Sequence, residues 1–401
     1  MSLLAVEDAL QRILEGIRPT ETESVPVAQA DGRVLAEPLA ATRTQPPWAT
    51  SAMDGYAVRG ADVAEAATLN LIGQSAAGHR FEGELKPGET VRIFTGAPLP
   101  AGADTIVIQE NVGVDGDLIT MPATETGRFV RPLGLDFTQG DELLREAEIL
   151  SSVRIALAAA MGYSQLPVRR KPVFAVLSTG DELVLPGEKI GPDQIIASNN
   201  FGVAALLRAQ GGASVDLGIA PDDPDAIAAK LRIAMDGGAD VLVTTGGASV
   251  GDHDYVQDVL TSLGVEIGFW KIAMRPGKPL MFGRCGGKIF IGLPGNPVSA
   301  LVCARVFLVP LVRALLGLDA AETYEDAILG ADLPANDQRQ DYLRATLARE
   351  NGKLVATPFS RQDSSMLATL GQSDALIVRP PHAPAASSGM PCKVLRMQAI
   401  T

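Results

Sequence analysis

The sequence predicts a multidomain protein of α/β and all-β modules built on a central doubly wound, mostly parallel sheet. Three observations carry this. Between residues 171 and 317, short apolar runs alternate with helical patterns, the grammar of successive βαβ units. Two of those runs, residues 241–243 and 289–291, end in glycine-bearing turns that lead straight into helices. On either side, short apolar runs between glycines and prolines read as small β domains. The composition shifts place a mixed N-terminal domain at 1–45 with 138–170 and an inserted β domain at 46–137. The central α/β domain follows at 171–317, and a small C-terminal β-barrel at 318–401.

In chain order, residues 4–17 read as an amphipathic helix with Val6, Leu10, Ile13, Leu14 and Ile17 on one face, followed by Pro19. A breaker-rich loop then carries Ser51-Ala52-Met53-Asp54-Gly55-Tyr56, in which Asp54-Gly55 by itself is a hairpin signal. LNLIGQ, ETVRIF, DTIVIQ and DLITMPA read as strands of the inserted domain, with Thr95-Gly96 ending one of them. Asp136 lies in a loop, where a solvated acid is the ordinary reading. Ser151 or Ser152 caps a helix over 153–161, stopped by Gly162.

From Lys171 the pattern is strand, helix, strand, helix. PVFAVLSTGDEL is a buried strand that ends on an acidic turn, and residues 199–210 form a helix closed by Gly211. ASVDLGIA is the next strand. Asp222-Asp223-Pro224 opens the following helix, with Asp222 read as a cap or as an acid at a strand's carboxyl end. ADVLVTTGG is the third strand. After Leu318, two strands flank Asn351-Gly352, a strong hairpin signal, and DALIVRP and CKVLRMQAI supply more. Arg339 and Arg344 lie on or beside the first of these strands and read as surface arginines.

Composition excludes several function classes. With 46% hydrophobic and 20% charged residues, the 401-residue chain has enough apolar content for real cores. Its net charge of −13 opposes general nucleic-acid binding. An anionic small molecule needs only a local cationic pocket or a metal. The longest apolar segment, 298–316, contains Arg305, Pro310 and Arg313, so no membrane span is expected. The N-terminus lacks a basic region followed by an apolar core, and no secretory signal is expected. Cys285, Cys303 and Cys392 are widely spaced and fit buried thiols in a reducing compartment, the cytoplasm.

In open α/β sheets, ligands sit where strands hand over to helices, and exposed backbone N–H groups and helix dipoles there favour anions. The loops at these handovers carry Gly246, Gly247, Ser249, Asp252 and Asp254. They also carry Lys271, Arg275, Lys278, Pro294, Gly295, Asn296, Pro297 and Ser299. Each has an ordinary reading: the glycines as a tight turn, Asp252 and Asp254 as helix caps, Pro276-Gly277 as a β-turn, the cations as solvated surface. Their convergence on adjacent strand ends points to a phosphate-like group with a divalent metal.

With SAMDGYA, TGAPLP, STGDEL, DDP, TGGASVGDHDY, PGKP and GLPGNPVSA in this order, the chain resembles the molybdopterin molybdenumtransferases, the MoeA proteins and the E domain of gephyrin, across nearly its whole length. The resemblance implies a molybdopterin-binding fold in the central domain and a homodimer with its cleft shared between subunits. The activity it implies is insertion of molybdate into adenylylated molybdopterin, with Mg²⁺-dependent release of AMP. By the same resemblance, Asp54 matches an essential acid, and Thr95 and Asp136 match substrate-side residues of the inserted domain. Glu182, Asp222 and Asp254 match acids of metal and nucleotide handling. Gly246, Gly247 and Ser249 match the phosphate loop, Lys271, Arg275 and Lys278 its cations, and residues 294–297 with Ser299 its last loop. Arg339, Arg344 and Ser364 match positions that help hold the oxyanion. The chain departs from the pattern in having Leu135 where an acid is usual before Asp136, and Asp363 where glycine often precedes the serine. Implied partners are the two substrates, and transiently a molybdopterin adenylyltransferase and the acceptor enzymes. Rival readings are an adenylyltransferase, which shares only the central domain, and a non-catalytic scaffold. SAMDGYA and the flanking domains argue against the first, the lack of a long linker against the second.

Overall fold

The computed structural model describes residues 3–247 and 255–397. The chain divides into two compact units: one is Ser24–Val168, the other Met1–Glu23 together with Arg169–Thr401.

The larger unit holds the central sheet. Its strands are β1 (Val173–Thr179), β2 (Ala213–Ala220), β3 (Val241–Thr245), β4 (Glu266–Lys271), β5 (Pro279–Cys285) and β6 (Lys288–Leu293), in the order β2-β1-β3-β6-β5-β4. The first four in that order are parallel. Strands β5 and β4 run antiparallel at one edge, joined to β6 through the Gly286-Gly287 turn, so the mostly parallel sheet carries an antiparallel margin. Every residue of β3 is buried, as expected for a parallel strand covered on both faces. On one face, Ala175, Leu177 and Leu242 pack under α2 (Pro224–Asp236) and α3 (Tyr255–Ser262) through Ile227, Leu231, Val256 and Leu260. On the other, α1 (Asn199–Ala209) packs against α4 (Pro297–Leu315). Register aligns the carboxyl ends: Ser178 faces Thr245, and Thr245 faces Leu293. Three strand-to-helix handovers therefore open side by side.

Helix α4 is apolar and long enough to cross a membrane by composition, yet 83% of it is buried inside the protein, as a core helix is. It widens to a π-helical turn over Ala304–Leu308, next to Pro310, which has no N–H to donate. In that turn Arg305 pairs with Glu322 at 2.7 Å, both side chains no more than 10% exposed, and its Nε donates to the Arg396 carbonyl. Removing one partner strands a buried charge. Glu322→Ala is expected to lower unfolding stability by about 3 kcal/mol in a urea titration. Arg305→Met with Glu322→Leu should restore most of it.

The N-terminal helix spans Val6–Leu14, shorter than the pattern suggested. Gly16 adopts φ +68 just beyond it, and the Arg284 guanidinium donates to the carbonyls of Arg12, Ile13 and Glu15 at the helix end. A cation there satisfies orphan carbonyls and complements the dipole.

The C-terminal strands Gln340–Glu350, Lys353–Pro358, Glu325–Leu329, Pro391–Arg396 and Ala375–Arg379 pair in that order, and the last pairs back with the first, closing a five-stranded barrel. Asn351 and Gly352, at φ +49 and +78, make the tight turn that the dipeptide predicted. Ala327, Leu329, Ala345, Ala356, Ile377 and Val394 fill the barrel.

The unit Ser24–Val168 contains a six-stranded mixed sheet in which Gly55–Val58 lies between Thr105–Ile108 and Glu89–Ile93. Its core is Tyr56, Val58, Leu69, Val107, Ile119 and Met121. A second core, with Leu35, Phe137, Leu144, Leu150 and Leu166, packs with the helix Ser152–Ala160, whose cap is Ser151 and whose stop is Gly162 at φ +105.

Candidate functional site

A cavity of about 580 Å³ opens at the carboxyl ends of β1, β3 and β6. Its walls include Thr179, Glu182, Asn199, Gly246, Asn296 and Ser299. Sequence chemistry accounts for the shape of each wall. After β3 the chain turns at Gly246 and Gly247, both in the left-handed region at φ +94 and +62. A Cβ on Gly246 would stand 2.6 Å from the Thr179 carbonyl oxygen, and one on Gly247 would stand 2.3 Å from a Val256 methyl. Only glycine fits either place. Ser249 and Asp254, on the segment that follows, lie outside the described residues, as does Asp252.

After β6 the chain runs through Pro294-Gly295-Asn296-Pro297 into α4, with Asn296 at the cap position and Pro297 in the first turn. Asn199 Nδ2 donates to the Gly295 carbonyl at 2.7 Å and fixes this loop to α1. Asn296 Nδ2 donates to Ser364 Oγ at 3.1 Å, and the Val298 N–H donates to the Ser364 carbonyl. The predicted Ser364 is thus brought to the last loop, and its neighbour Ser365 lines the cavity.

Arg344 differs from its sequence reading. It is 1% exposed, not a surface arginine. Its backbone N–H and Nε both donate to Gln362 Oε1, and Nη1 donates to the Met366 carbonyl. Burial pulls its pKa below the ordinary guanidinium value. Arg344 therefore holds the 362–366 loop that presents Ser364. Arg339 is occupied by Asp337, whose carboxyl its guanidinium holds down at about 2. Arg275 is likewise engaged: Nε and Nη2 bond both oxygens of the buried Asp341, at 2.9 and 2.5 Å, tying the central sheet to the barrel. Lys271 and Lys278 are exposed and make no ion pair among the described residues.

The acids divide in an informative way. The cap of α2 is Asp223, whose Oδ1 accepts from the Ala226 N–H at 2.8 Å. Asp222 is not the cap; its backbone N–H donates to Asp181 Oδ1, and its carboxylate is exposed. The cap reading given to Asp222 belongs to Asp223, the residue immediately before the proline at the first helical position. Glu182 is exposed, lines the cavity and lies across Gly180, where a Cβ would meet its Oε2 at 2.3 Å. No cluster of three His, Cys, Asp or Glu side chains stands ready for a metal among the described residues. Sequence reasoning passed over Thr179 and Asn199, both of which line the cavity.

In the other unit, Asp54 and Thr95 come together. Asp54 Oδ1 accepts from the Thr95 N–H at 2.7 Å and from Thr95 Oγ1 at 2.8 Å. These bonds, with a smaller contribution from Arg92, hold the Asp54 carboxyl below its usual pKa. Arg92 lies over the rings of Tyr56 and Phe94 and donates to the Gly55 carbonyl. The Asp54-Gly55 turn is therefore clamped on both sides. Asp136 stands on an exposed loop fixed through its backbone N–H to Gln45. A carboxylate with a depressed pKa keeps its charge until pH falls through the lowered value. Thr95→Val removes the hydroxyl bond and should move the Asp54 titration, followed by carboxyl NMR, to higher pH; an unmoved titration would show that the hydroxyl does not hold the charge.

Residues 4–162 match the MoeA N-terminal region (domain I and II), 175–314 a probable molybdopterin binding domain, and 326–397 the MoeA C-terminal region (domain IV). A molybdopterin molybdenumtransferase of Nostoc sp. is 36% identical over 94% of this chain and 89% of its own length. One of Haemophilus influenzae is 35% identical over 94% of each. The crystal structure of a molybdopterin biosynthesis MoeA protein from Pyrococcus horikosii superposes with a TM-score of 0.87 at 29% identity, covering 99% of this chain and 100% of that one.

Proposed function

The chain belongs to the molybdopterin molybdenumtransferase (MoeA) family and acts in molybdenum cofactor biosynthesis; from this premise we propose that it inserts molybdate into adenylylated molybdopterin, with Mg²⁺-dependent release of AMP. The observation that carries the proposal is the cavity where the Gly246-Gly247 turn, the 294–297 loop and the barrel's Ser365 meet. A glycine turn and a helix start suit the phosphates of the adenylylated pterin. Lys271 and Lys278 are exposed cations without an ion pair among the described residues, suited to the molybdate dianion. Arg344 positions Ser364 beside Asn296, and Arg275 locks the barrel to the sheet. Asp54, kept ionised by Thr95, contributes a fixed negative charge.

The described acids form no preformed metal cluster, and the magnesium proposal rests on the chemistry of single carboxylates. Glu182 and Asp222 offer carboxylate oxygens that no cap or ion pair among the described residues consumes, with Asp254 a further candidate ligand. Mg²⁺ takes such oxygens and retains several waters. Bound there, it would offset the charge that builds as the phosphoanhydride P–O bond breaks.

Exposed Trp48, Met53, Leu133 and Leu135, in the segments that carry Asp54 and Asp136, support a homodimer in which a second copy covers this surface. Sedimentation should give twice the chain mass, and a fully active monomer would contradict it. The chemistry fits a cytoplasmic enzyme that takes its substrate from an adenylyltransferase and passes product to acceptor enzymes. An adenylyltransferase reading accounts for the central domain alone and leaves 4–162 and 326–397 without a purpose. The discriminating experiment incubates the protein with adenylylated molybdopterin, Mg²⁺ and molybdate and adds an apo-molybdoenzyme. Reactivation without ATP supports the proposal; reactivation only from free molybdopterin and ATP supports the rival.

A further inference from the structure

Asn199 is the first residue of α1 and lines the cavity. Its Nδ2 donates to the Gly295 carbonyl at 2.7 Å, across 96 residues of sequence. Gly295 belongs to the loop between β6 and α4. A Cβ on it would lie 3.8 Å from Gly246 Cα, so this loop rests against the glycine turn after β3. One amide therefore ties the starts of α1 and α4 together beside that turn. The loop has little else to hold it. Pro294 and Pro297 have no N–H to donate, and glycine is the residue least able to fix its own backbone. Asn296 occupies the cap position of α4, yet its side chain makes no cap bond and reaches Ser364 instead.

Peptide planarity gives the Asn199 bond its consequence. The Gly295 carbonyl and the Asn296 N–H belong to one trans peptide unit and point in opposite directions. Holding the carbonyl on Asn199 thus fixes the heading of the Asn296 N–H. Asn296 is exposed and lines the cavity, and its N–H donates to no group among the described residues. A backbone N–H at a helix start is a ready donor to an anion. Without the anchor, the peptide beside Gly295 is free to turn over and carry its N–H away.

We propose that Asn199 is a positioning residue: its amide holds the Gly295-Asn296 peptide so that the Asn296 N–H faces a phosphate oxygen of the ligand in this cavity. The proposal rests on the reading of the cavity as the site for adenylylated molybdopterin and adds a residue that acts through the 294–297 loop.

The test titrates adenylylated molybdopterin, without molybdate, into the full-length, isotope-labelled protein. Calorimetry gives the affinity, and NMR follows the Asn296 amide. In the wild type the Asn296 amide proton should move downfield as the ligand saturates the site. Asn199→Ala should bind about 10-fold more weakly, and at its own saturation the Asn296 resonance should stay close to its ligand-free position. Asn199→Asp keeps the size of the side chain, but its ionised carboxylate has no hydrogen for the Gly295 carbonyl, so it should lose at least as much affinity. Wild-type affinity in both variants would overturn the inference. So would an Asn296 shift in ligand-saturated Asn199→Ala equal to that of the wild type, which would make Asn199 a direct ligand contact or a purely structural residue. A wild type that binds without moving the Asn296 resonance would overturn it as well. Failure of the wild type to bind at all would reject the reading of the cavity, and the inference with it; calorimetry alone tells that outcome from the others.

Discussion

Lys278→Ala is expected to raise the molybdate concentration needed for half-maximal AMP release by about 10- to 100-fold, with high molybdate restoring the rate. At net −13 the protein repels a dianion, so molybdate must find donors that are locally free. Lys278 sits at the end of the Pro276-Gly277 turn, its carbonyl bonded to the Ile272 N–H and its ammonium without an ion pair among the described residues. A charge-assisted hydrogen bond contributes roughly 1.5–3 kcal/mol, which sets the size of the loss. Rescue is expected because the missing interaction is one of binding. Arg344→Ala should behave differently. Its guanidinium is buried and spent on Gln362 and Met366, so its removal loosens the 362–366 loop, and added molybdate should not repair that. Superimposable curves for wild type and Lys278→Ala would remove Lys278 from the site. Full rescue of Arg344→Ala would mean that its role is direct contact with the oxyanion.

Asp222→Asn is expected to abolish most Mg²⁺-dependent AMP release while leaving the fold intact, and Asp223→Asn to leave both nearly unchanged. The adjacent acids do different work. Asp223 caps α2 through the Ala226 N–H, and asparagine caps about as well as aspartate. Asp222 has no such duty, and its exposed carboxylate makes no ion pair among the described residues. An amide is a poor ligand for hard Mg²⁺ beside a carboxylate, so the loss should be at least 10-fold at low Mg²⁺ and smaller at high. Thermal unfolding of both variants checks the fold. Equal activity in Asp222→Asn and wild type at limiting Mg²⁺ would place the metal elsewhere.

Much of the architecture was legible because local signals agreed with the fold. The buried run of β3, the Gly211 stop after α1, the Ser151 cap and the Asn351-Gly352 turn each carry their own stereochemistry. The loops at the strand ends were legible for the same reason, since glycine and proline announce backbone geometry. What stayed hidden depends on packing between distant segments. Arg344 lies between Leu343 and Ala345 on a strand of a closed barrel, and only the closure and the 362–366 loop bury it. The engagement of Arg275 needs Asp341, 66 residues away. Asn199 reads as the start of an ordinary helix until its bond to Gly295, 96 residues away, is seen. The end of the N-terminal helix was the opposite case: Gly16 was in plain view, and the apolar periodicity running on to Ile17 obscured it.

The most direct test of the central claim is a single-turnover measurement of AMP released from adenylylated molybdopterin by the purified protein, with molybdate and Mg²⁺ varied independently. The expected result is one AMP per pterin, dependent on both ions, with molybdenum recovered on the pterin dithiolene. AMP release at an unchanged rate without molybdate, or none with both ions at saturation, would contradict it.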